Sequence, residues 1–459
     1  MSVNTAQAAP YSSYVLPPQQ KARRWSLTMA WWALFSAMFW IYIAVASAGA
    51  VGVPNTIIGM VLTIATYGII NAILTKFAAR TGLSVEEFSR TLFGLIGSAL
   101  ATLIFAATAI YYAVFEGSII AVALESFFGG SRIMWYAIVV AYAIPLVAGG
   151  VHNWLDKLNG FLLPLYLGGL VAVVIAATAI RGIPTDWIGS AAAAAPMPGW
   201  ITSYLIYMGV WVMMMYTFDY ARLGKQQDEK FHASVSFGWV FYAFTFGLNG
   251  LVGIYIMSAW NLQATETGVV QAFMSSLGFF GLLVIFISQT RINTANYYLA
   301  SLNLGAFAER VFKLRLPRFV WVLVSGAIAF LFMLTDVLSY LLKALAWQGV
   351  FVTAWVAVAL VYIALNRNVL GHLPEVRPEK LKAVSPGAVA WLVASAVGIF
   401  LTEQTGSALA AQFAPVITVV LAAGLYYLAY RMQTPPSLTP AEAEVLAAGS
   451  HEDKTAAHL

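Results

Sequence analysis

Seven polar or charged side chains crowd into nine residues of an otherwise apolar run: Ser288, Gln289, Thr290, Arg291, Asn293, Thr294 and Asn296, within FISQTRINTANYYLASLNLG (286–305). On a helix at 100° per residue, Gln289, Asn293 and Asn296 share one face while Arg291 points largely away from it. Each Gln or Asn amide offers both a donor and an acceptor, the chemistry that reads the edge of a nitrogen heterocycle. Interhelical hydrogen bonds for packing alone are worth only about 0.6 kcal/mol each inside a membrane. So dense a cluster therefore points to a substrate or ion site, the default reading of polar groups at membrane depth. Glu116, mid-run in IYYAVFEGSII (110–120), is a second ionisable group at depth. A Glu116–Arg291 pair across the bundle would serve as a structural or proton-linked switch.

Aromatic residues make up 14% of the chain, and most suit the membrane interface. Trp40, Tyr111, Tyr112, Phe115 and Trp211 lie too deep for that belt. Flat rings beside amides suit a flat, nucleobase-like solute, because ring faces stack with any heteroaromatic. Other polar residues have simpler explanations. Asp336 and Lys343 lie near the end of an apolar run and are expected to snorkel. Asp219, beside Arg222, reads as a helix-end ion pair. The five histidines (152, 232, 372, 451 and 458) are all expected in loops or tails, which argues against a membrane-embedded enzyme. A channel is disfavoured by the lack of any repeated filter sequence.

These residues must be positioned by the apolar runs that carry them. Twelve such runs are legible, near 27–51, 55–75, 95–124, 133–151, 158–180, 200–221, 233–260, 269–300, 319–335, 337–365, 386–402 and 411–430. About 20 apolar residues cross a bilayer, so a twelve-helix, all-α integral membrane protein is expected. Hydrophobic residues are 61% of the chain and charged residues 9%. Twenty of the 24 Lys and Arg fall at the N-terminus, the even-numbered gaps or the C-terminus; the exceptions are Arg132, Arg181, Arg291 and Lys343. Basic loops stay cytoplasmic, so both termini are expected on the cytoplasmic side of a bacterial-type inner membrane. That orientation accounts for the net charge of +5 without a nucleic-acid partner. There are no cysteines, hence no disulfides or thiolate metal sites. Residues 1–24 and the segment from Thr434 read as polar tails, the first of them disordered.

The first and sixth runs carry small residues, in FSAMFWIYIAVASAGAVGVP (35–54) and WITSYLIYMGVWVMMMYTFDYARLGK (200–225). Small residues in a membrane helix mark either close packing or unwinding around a ligand. Two suspect runs five apart fit an inverted five-plus-five repeat whose broken helices meet near the midplane.

Three segments then carry a resemblance to a known family. FSAMFW (35–40) is similar to the start of the first helix in cytosine permeases. RTGLSVEEFSRTLFGLIGS (80–98) resembles the family's loop before the third helix. TFDYARLGK (217–225) matches a T-x-D-[FY]-x-R-x-G ending of the sixth. The chain resembles the nucleobase–cation symporter-1 family, which contains cytosine permease and the hydantoin and allantoin transporters.

The resemblance implies a LeuT-type fold: a transport core at 25–365 built of two repeats (about 25–181 and 200–365), then peripheral helices at 386–430 and a tail at 431–459. It implies alternating access around helices one, three, six and eight. By position, Trp40 lines the cavity from helix one, Tyr112 takes the third-helix aromatic place, Trp211 the sixth-helix stacking place, and Gln289, with Asn293 nearby, the eighth-helix amide place. Ala109 stands where cytosine permeases carry a third-helix Gln, which leaves cytosine itself open against allantoin, a hydantoin or a hydroxymethylpyrimidine. Sodium-coupled relatives bind the ion between helix-one carbonyls, near Ser36 and Phe39 here, and a hydroxyl pair on helix eight that aligns with Ile292-Asn293. Sodium and protons both remain as coupling ions, the proton reading resting on Glu116 with Arg291 adjacent. No organic cofactor is expected. The expected partners are a small heterocyclic solute and the lipid bilayer, with the protein acting as a monomer and a transporter rather than an enzyme.

Overall fold

Within hydrocarbon a chain must satisfy its own backbone polar groups, and long apolar runs do so as helices. The computed structural model describes residues 15–148, 155–185, 188, 197–263, 265–335, 337–367, 373–404, 406–439 and 442. Its helices are α1 (Arg24–Trp31), α2 (Met38–Val51), α3 (Val53–Thr81), α4 (Val85–Phe128), α5 (Arg132–Ala148), α6 (Asp156–Arg181), α7 (Gly199–Met208) and α8 (Val212–Ala221). There follow α9 (Gln226–Trp260), α10 (Glu266–Leu277), α11 (Phe279–Phe312), α12 (Arg318–Leu334), α13 (Val337–Leu365), α14 (Pro386–Thr402) and α15 (Ala408–Met432). Among the described residues six helices are long and apolar enough to cross a membrane, or eight counting each of two bent pairs as one span. This is a multi-pass membrane protein. At 34 residues α11 is long enough but falls outside that apolar set; its polar cluster is the cause.

The two bent pairs are the ones the small residues anticipate. α1 and α2 meet at 44° across a short 3₁₀ turn at Leu34–Ser36, and α7 and α8 meet at 43°. A third break, at Gly278 (φ +55°), separates α10 from α11 inside what reads in sequence as one apolar run. α4 and α11 form the most extensive helix pairing and run through the centre, while α14 and α15 pack on each other at the periphery.

One end of the bundle gathers the residues from the N-terminus and the even-numbered gaps. Arg24 meets Asp228 at 2.5 Å, Arg80 meets Glu229 at 2.6 Å, and Arg377 meets Glu375 at 2.6 Å. The two basic residues of the odd gaps find partners elsewhere: Arg132 bonds Glu125, and Arg181 donates to the Ala259 carbonyl.

The part of the N-terminal tail that is described corrects the expectation of disorder. Lys21 donates to the Ala79 carbonyl at 2.6 Å and the Ala22 amide to Leu223 O at 2.8 Å. The segment is a backbone clasp over α3 and α8. The far tail behaves likewise, with Leu438 buried and its amide bonded to Leu373 O.

Glycine is required at Gly94, where α4 kinks with φ +75° and ψ −173°. A Cβ there would lie 2.7 Å from Lys382 O, and the amides of Leu95 and Ile96 bond Lys382 O and Ala383 O. The FG of the motif at 80–98 thus lets the loop before α14 dock into the kink.

Candidate functional site

The α11 cluster is fully inside the protein: Ser288, Gln289, Arg291, Asn293, Thr294 and Asn296 are all buried. Its faces divide as helical spacing requires. Gln289 and Asn293 look towards α4, where Gln289 Nε2 donates to Glu116 Oε2 at 2.5 Å and to the Glu116 carbonyl at 3.2 Å. Asn293 Nδ2 lies over Gly117, 3.5 Å from where a Cβ would stand. Asn296 Nδ2 approaches Asn293 Oδ1 at 3.4 Å, and its Oδ1 takes the Tyr216 hydroxyl at the same distance, linking α11 to α8.

Arg291 points the other way, to the break in helix one, and its Nη2 donates to Trp32 O at 2.7 Å. A Glu116–Arg291 pair is therefore not formed. Gln289 is the side chain on α11 that faces Glu116, because two residues of helix turn Arg291 through about 200°.

The break between α1 and α2 is stitched to α11 as well. Ser36 Oγ lies 3.1 Å from Ser288 O, and Ser288 Oγ donates to Ser36 O at 2.5 Å. Gln289 Oε1 accepts the Met38 amide, the first N–H of α2, at 3.1 Å. The hydroxyl of α11 that reaches the helix-one carbonyls is thus Ser288, one turn before the Ile292-Asn293 pair suggested by alignment.

The aromatics gather on the same side. Phe39 packs edge-on against Trp40, Tyr112 and Phe115, with centroids at 5.2, 6.0 and 5.8 Å. Trp40 is buried, rests against Phe246, and donates its Nε1 to Leu34 O at 2.7 Å, so that it braces the break. Tyr111 is buried and contacts Tyr112, which is half-buried. Trp211 sits where α8 begins, beside the break from α7. Trp211 Nε1 and Asn293 Nδ2 are buried donors with no protein partner among the described residues. Ala109, on α4, is fully buried and its side chain offers no polar atom.

Two further expectations meet the structure differently. Asp219 accepts the Val85 amide at 2.7 Å, the first N–H of α4, and its other oxygen faces Asn303 Nδ2 at 3.4 Å. It caps a neighbouring helix, while Arg222 turns towards Glu87 at 3.7 Å. His232 lies within α9, buried, its Nδ1 at 2.8 Å from Ser236 Oγ, because the helix starts before the apolar run does. The other four histidines and Asp336 lie outside the described residues, as does the Lys343 side chain.

No family model and no curated protein matches the chain. Solved structures do. It is similar to Mhp1, a nucleobase-cation-symport-1 family transporter, in a closed conformation with bromovinylhydantoin bound: TM-score 0.71, 18% identity, 93% of this chain and 98% of that one. It is also similar to a Na+-coupled sialic acid symporter (0.65, 14%, 90% and 91%) and to MhsT in complex with L-phenylalanine (0.58, 15%, 90% and 99%). A manganese transporter of Eremococcus coleocola aligns at 0.57 and 13%, over 92% of this chain and 98% of its own. At such identities the shared property is the path of the backbone, and this chain has the all-helical fold of Mhp1 and MhsT.

Proposed function

We propose that the protein is a secondary transporter of the nucleobase–cation symporter-1 type, importing a nucleobase or related heterocycle by ion-coupled alternating access. The observation that carries this reading is a pair of helix breaks, bent by 44° and 43°, the first bonded to a buried amide-bearing helix and the second continued by α8, whose Tyr216 reaches that same helix. Broken helices expose backbone groups for ligands near the midplane, and rocking of the bundle made by helices one, two, six and seven then alternates access. The architecture is twelve spans, two inverted five-helix repeats followed by α14 and α15, with both termini cytoplasmic. The polar loops gathered at one end of the bundle support that orientation.

The solute stacks between Tyr112 and Trp211, and its edge is read by amides of α11. Two donors without protein partners, Asn293 Nδ2 and Trp211 Nε1, favour a solute with acceptors on its rim. Gln289 contributes once the rocking motion frees it from Glu116. Mhp1 binds bromovinylhydantoin in its closed form, and Ala109 removes a polar contact expected for cytosine. A hydantoin, allantoin or hydroxymethylpyrimidine is therefore the second reading of the substrate. Sodium or protons drive uptake, with Glu116 as the proton-carrying group. The protein works as a monomer in a bacterial-type inner membrane and is not an enzyme.

The test is thermal unfolding of the detergent-purified protein against nucleobases, allantoin, hydantoins and hydroxymethylpyrimidine. A ligand that binds only the folded state raises the melting temperature by mass action. One heterocycle is expected to do so. Silence across the whole panel would refute the substrate class.

A further inference from the structure

Every carbonyl through the helix-one break is engaged by one of the protein's own donors. Trp32 O accepts Arg291 Nη2 at 2.7 Å, Ala33 O accepts the Ser36 hydroxyl at 2.9 Å, and Leu34 O accepts Trp40 Nε1 at 2.7 Å. Phe35 O accepts Asn249 Nδ2 at 2.6 Å, and Ser36 O accepts the Ser288 hydroxyl at 2.5 Å. Five successive oxygens are taken by side chains from helix one itself, α9 and α11.

Ser36 O is one of the carbonyls that the family resemblance gives to a coupling cation, and the carbonyl end of the half-helix before it carries negative partial charge. A hard cation needs several oxygens whose lone pairs point at it. Here each oxygen already gives one of its two lone pairs to a side-chain donor, so positive partial charge stands beside every one of them. Arg291 adds a full charge. α1 has no basic residue in its own last turn, and Arg291 supplies one from across the bundle. The residue is 0% exposed, and its guanidinium does not lose its proton in proteins. Its Nε and Nη1 have no partner among the described residues, so the contact that holds it is the α1 carbonyl end. On the eighth helix the aligned position Ile292 brings no oxygen, and the Ser288 hydroxyl that does reach the break already donates to Ser36 O.

We propose that Arg291 is the resident cation of the helix-one break and that sodium does not bind there. A tethered charge cannot be released to the cytoplasm, so the energy of uptake must enter elsewhere. This consequence for coupling rests on the transport reading above, whereas the binding statement does not.

The experiment has a binding arm and a transport arm. First, the purified full-length protein is melted in sodium, potassium and choline chlorides at equal ionic strength, with no organic ligand. Equal melting temperatures are expected; a rise specific to sodium overturns the proposal. Second, proteoliposomes take up radiolabelled cytosine, uracil, allantoin or hydantoin with sodium or choline outside. Rates are expected to agree within a factor of about two, and a loss of about tenfold without sodium overturns the proposal while leaving the transporter intact. Arg291→Lys should keep most of the rate and Arg291→Met should lose about tenfold or more; wild-type rates in both would remove the charge from any role. If none of the four solutes moves in any condition, the chosen substrates fail and the salt series still decides the binding claim. Should Arg291→Met not fold, the wild-type salt series and Arg291→Lys carry the test.

Discussion

Gln289 Nε2 donates to Glu116 Oε2 at 2.5 Å while Gln289 Oε1 accepts the Met38 amide at 3.1 Å. One amide thus ties the central helix α4, the polar helix α11 and the start of α2. In the proposed rocking, α2 moves with the bundle against α4 and α11. Replacing Gln289 by Ala would leave a buried carboxylate and a helix-start N–H both unpaired. Each buried orphan costs about 1–3 kcal/mol. A marked fall in melting temperature is expected, together with weaker heterocycle binding. Unchanged melting and affinity would mean that this amide holds neither the helices nor the solute.

Glu116→Gln separates the charge from the contact. The amide oxygen can still accept from Gln289 Nε2, so the fold should persist, with a melting temperature close to wild type. Uptake driven by an inward proton gradient should vanish, because no group at this place can then gain or lose a proton. The check is uptake into proteoliposomes with acid outside. Proton-driven uptake surviving in the variant would place coupling on another residue.

Asp219 explains why two distant sequence patches belong together. It comes from TFDYARLGK, and the amide it caps, Val85, comes from RTGLSVEEFSRTLFGLIGS. Ser84 and Glu87 complete a reciprocal capping box at the same helix start. Loss of a cap costs about 0.5–2 kcal/mol. Asp219→Ala should therefore lower the melting temperature and speed hydrogen exchange at the start of α4, whereas Asp219→Asn keeps an acceptor and should be milder. Equal effects from both would show that the negative charge, rather than the hydrogen bond, is what the helix start requires.

Much of the architecture can be read from composition because lipid leaves an apolar run little choice but a helix. The two breaks are visible as small residues, and the division of α11 into a Gln289–Asn293 face and an Arg291 face follows from helical spacing alone. What sequence concealed is competition between partners. Charge alone pairs Glu116 with Arg291, and Asp219 with Arg222. In the fold an amide outcompetes the arginine at Glu116, and a helix N-terminus outcompetes Arg222 at Asp219. The break at Gly278 is hidden for a different reason: apolar residues flank it on both sides, so hydropathy runs through without a dip. Ser288, the hydroxyl that meets Ser36, lies one turn before the aligned pair, a contact that helical spacing alone does not single out.

Gly94→Ala tests whether the kink in α4 holds the loop before α14. The conformation at φ +75° and ψ −173° is reached almost solely by glycine, and forcing another residue into it costs about 1–3 kcal/mol. The added methyl would also press on Lys382 O. Limited proteolysis should therefore cut the variant faster between residues 377 and 385 than the wild type. Equal cleavage would mean that the loop is held by the Arg90 and Thr91 contacts to Val376 and Glu375 instead.

The clasp on the C-terminal segment should respond to acid. Glu442 accepts from the Thr439 amide, Arg377 and Lys380 at 3.0, 3.0 and 3.1 Å. The Thr439 backbone N–H, and after it Arg377 and Lys380, hold the Glu442 carboxyl down at about 2, against an ordinary value of 4.5. Its folded value is below its unfolded one, so its contribution is present above the ordinary range and is lost as pH falls towards about 2. Glu375 shifts in the same sense: burial pushes it up, but hydrogen bonds from Arg377 outweigh that and bring it below its usual value. A fluorophore placed at residue 437 should therefore be immobile at neutral pH and gain rotational freedom on acidification. Glu442→Gln should release it at neutral pH, and raised salt should act in the same direction, because the clasp is solvent-exposed and screened. An anisotropy that ignores both acid and the Glu442→Gln change would mean that the segment is held by the burial of Leu438 and its backbone bond to Leu373, with the charges as bystanders.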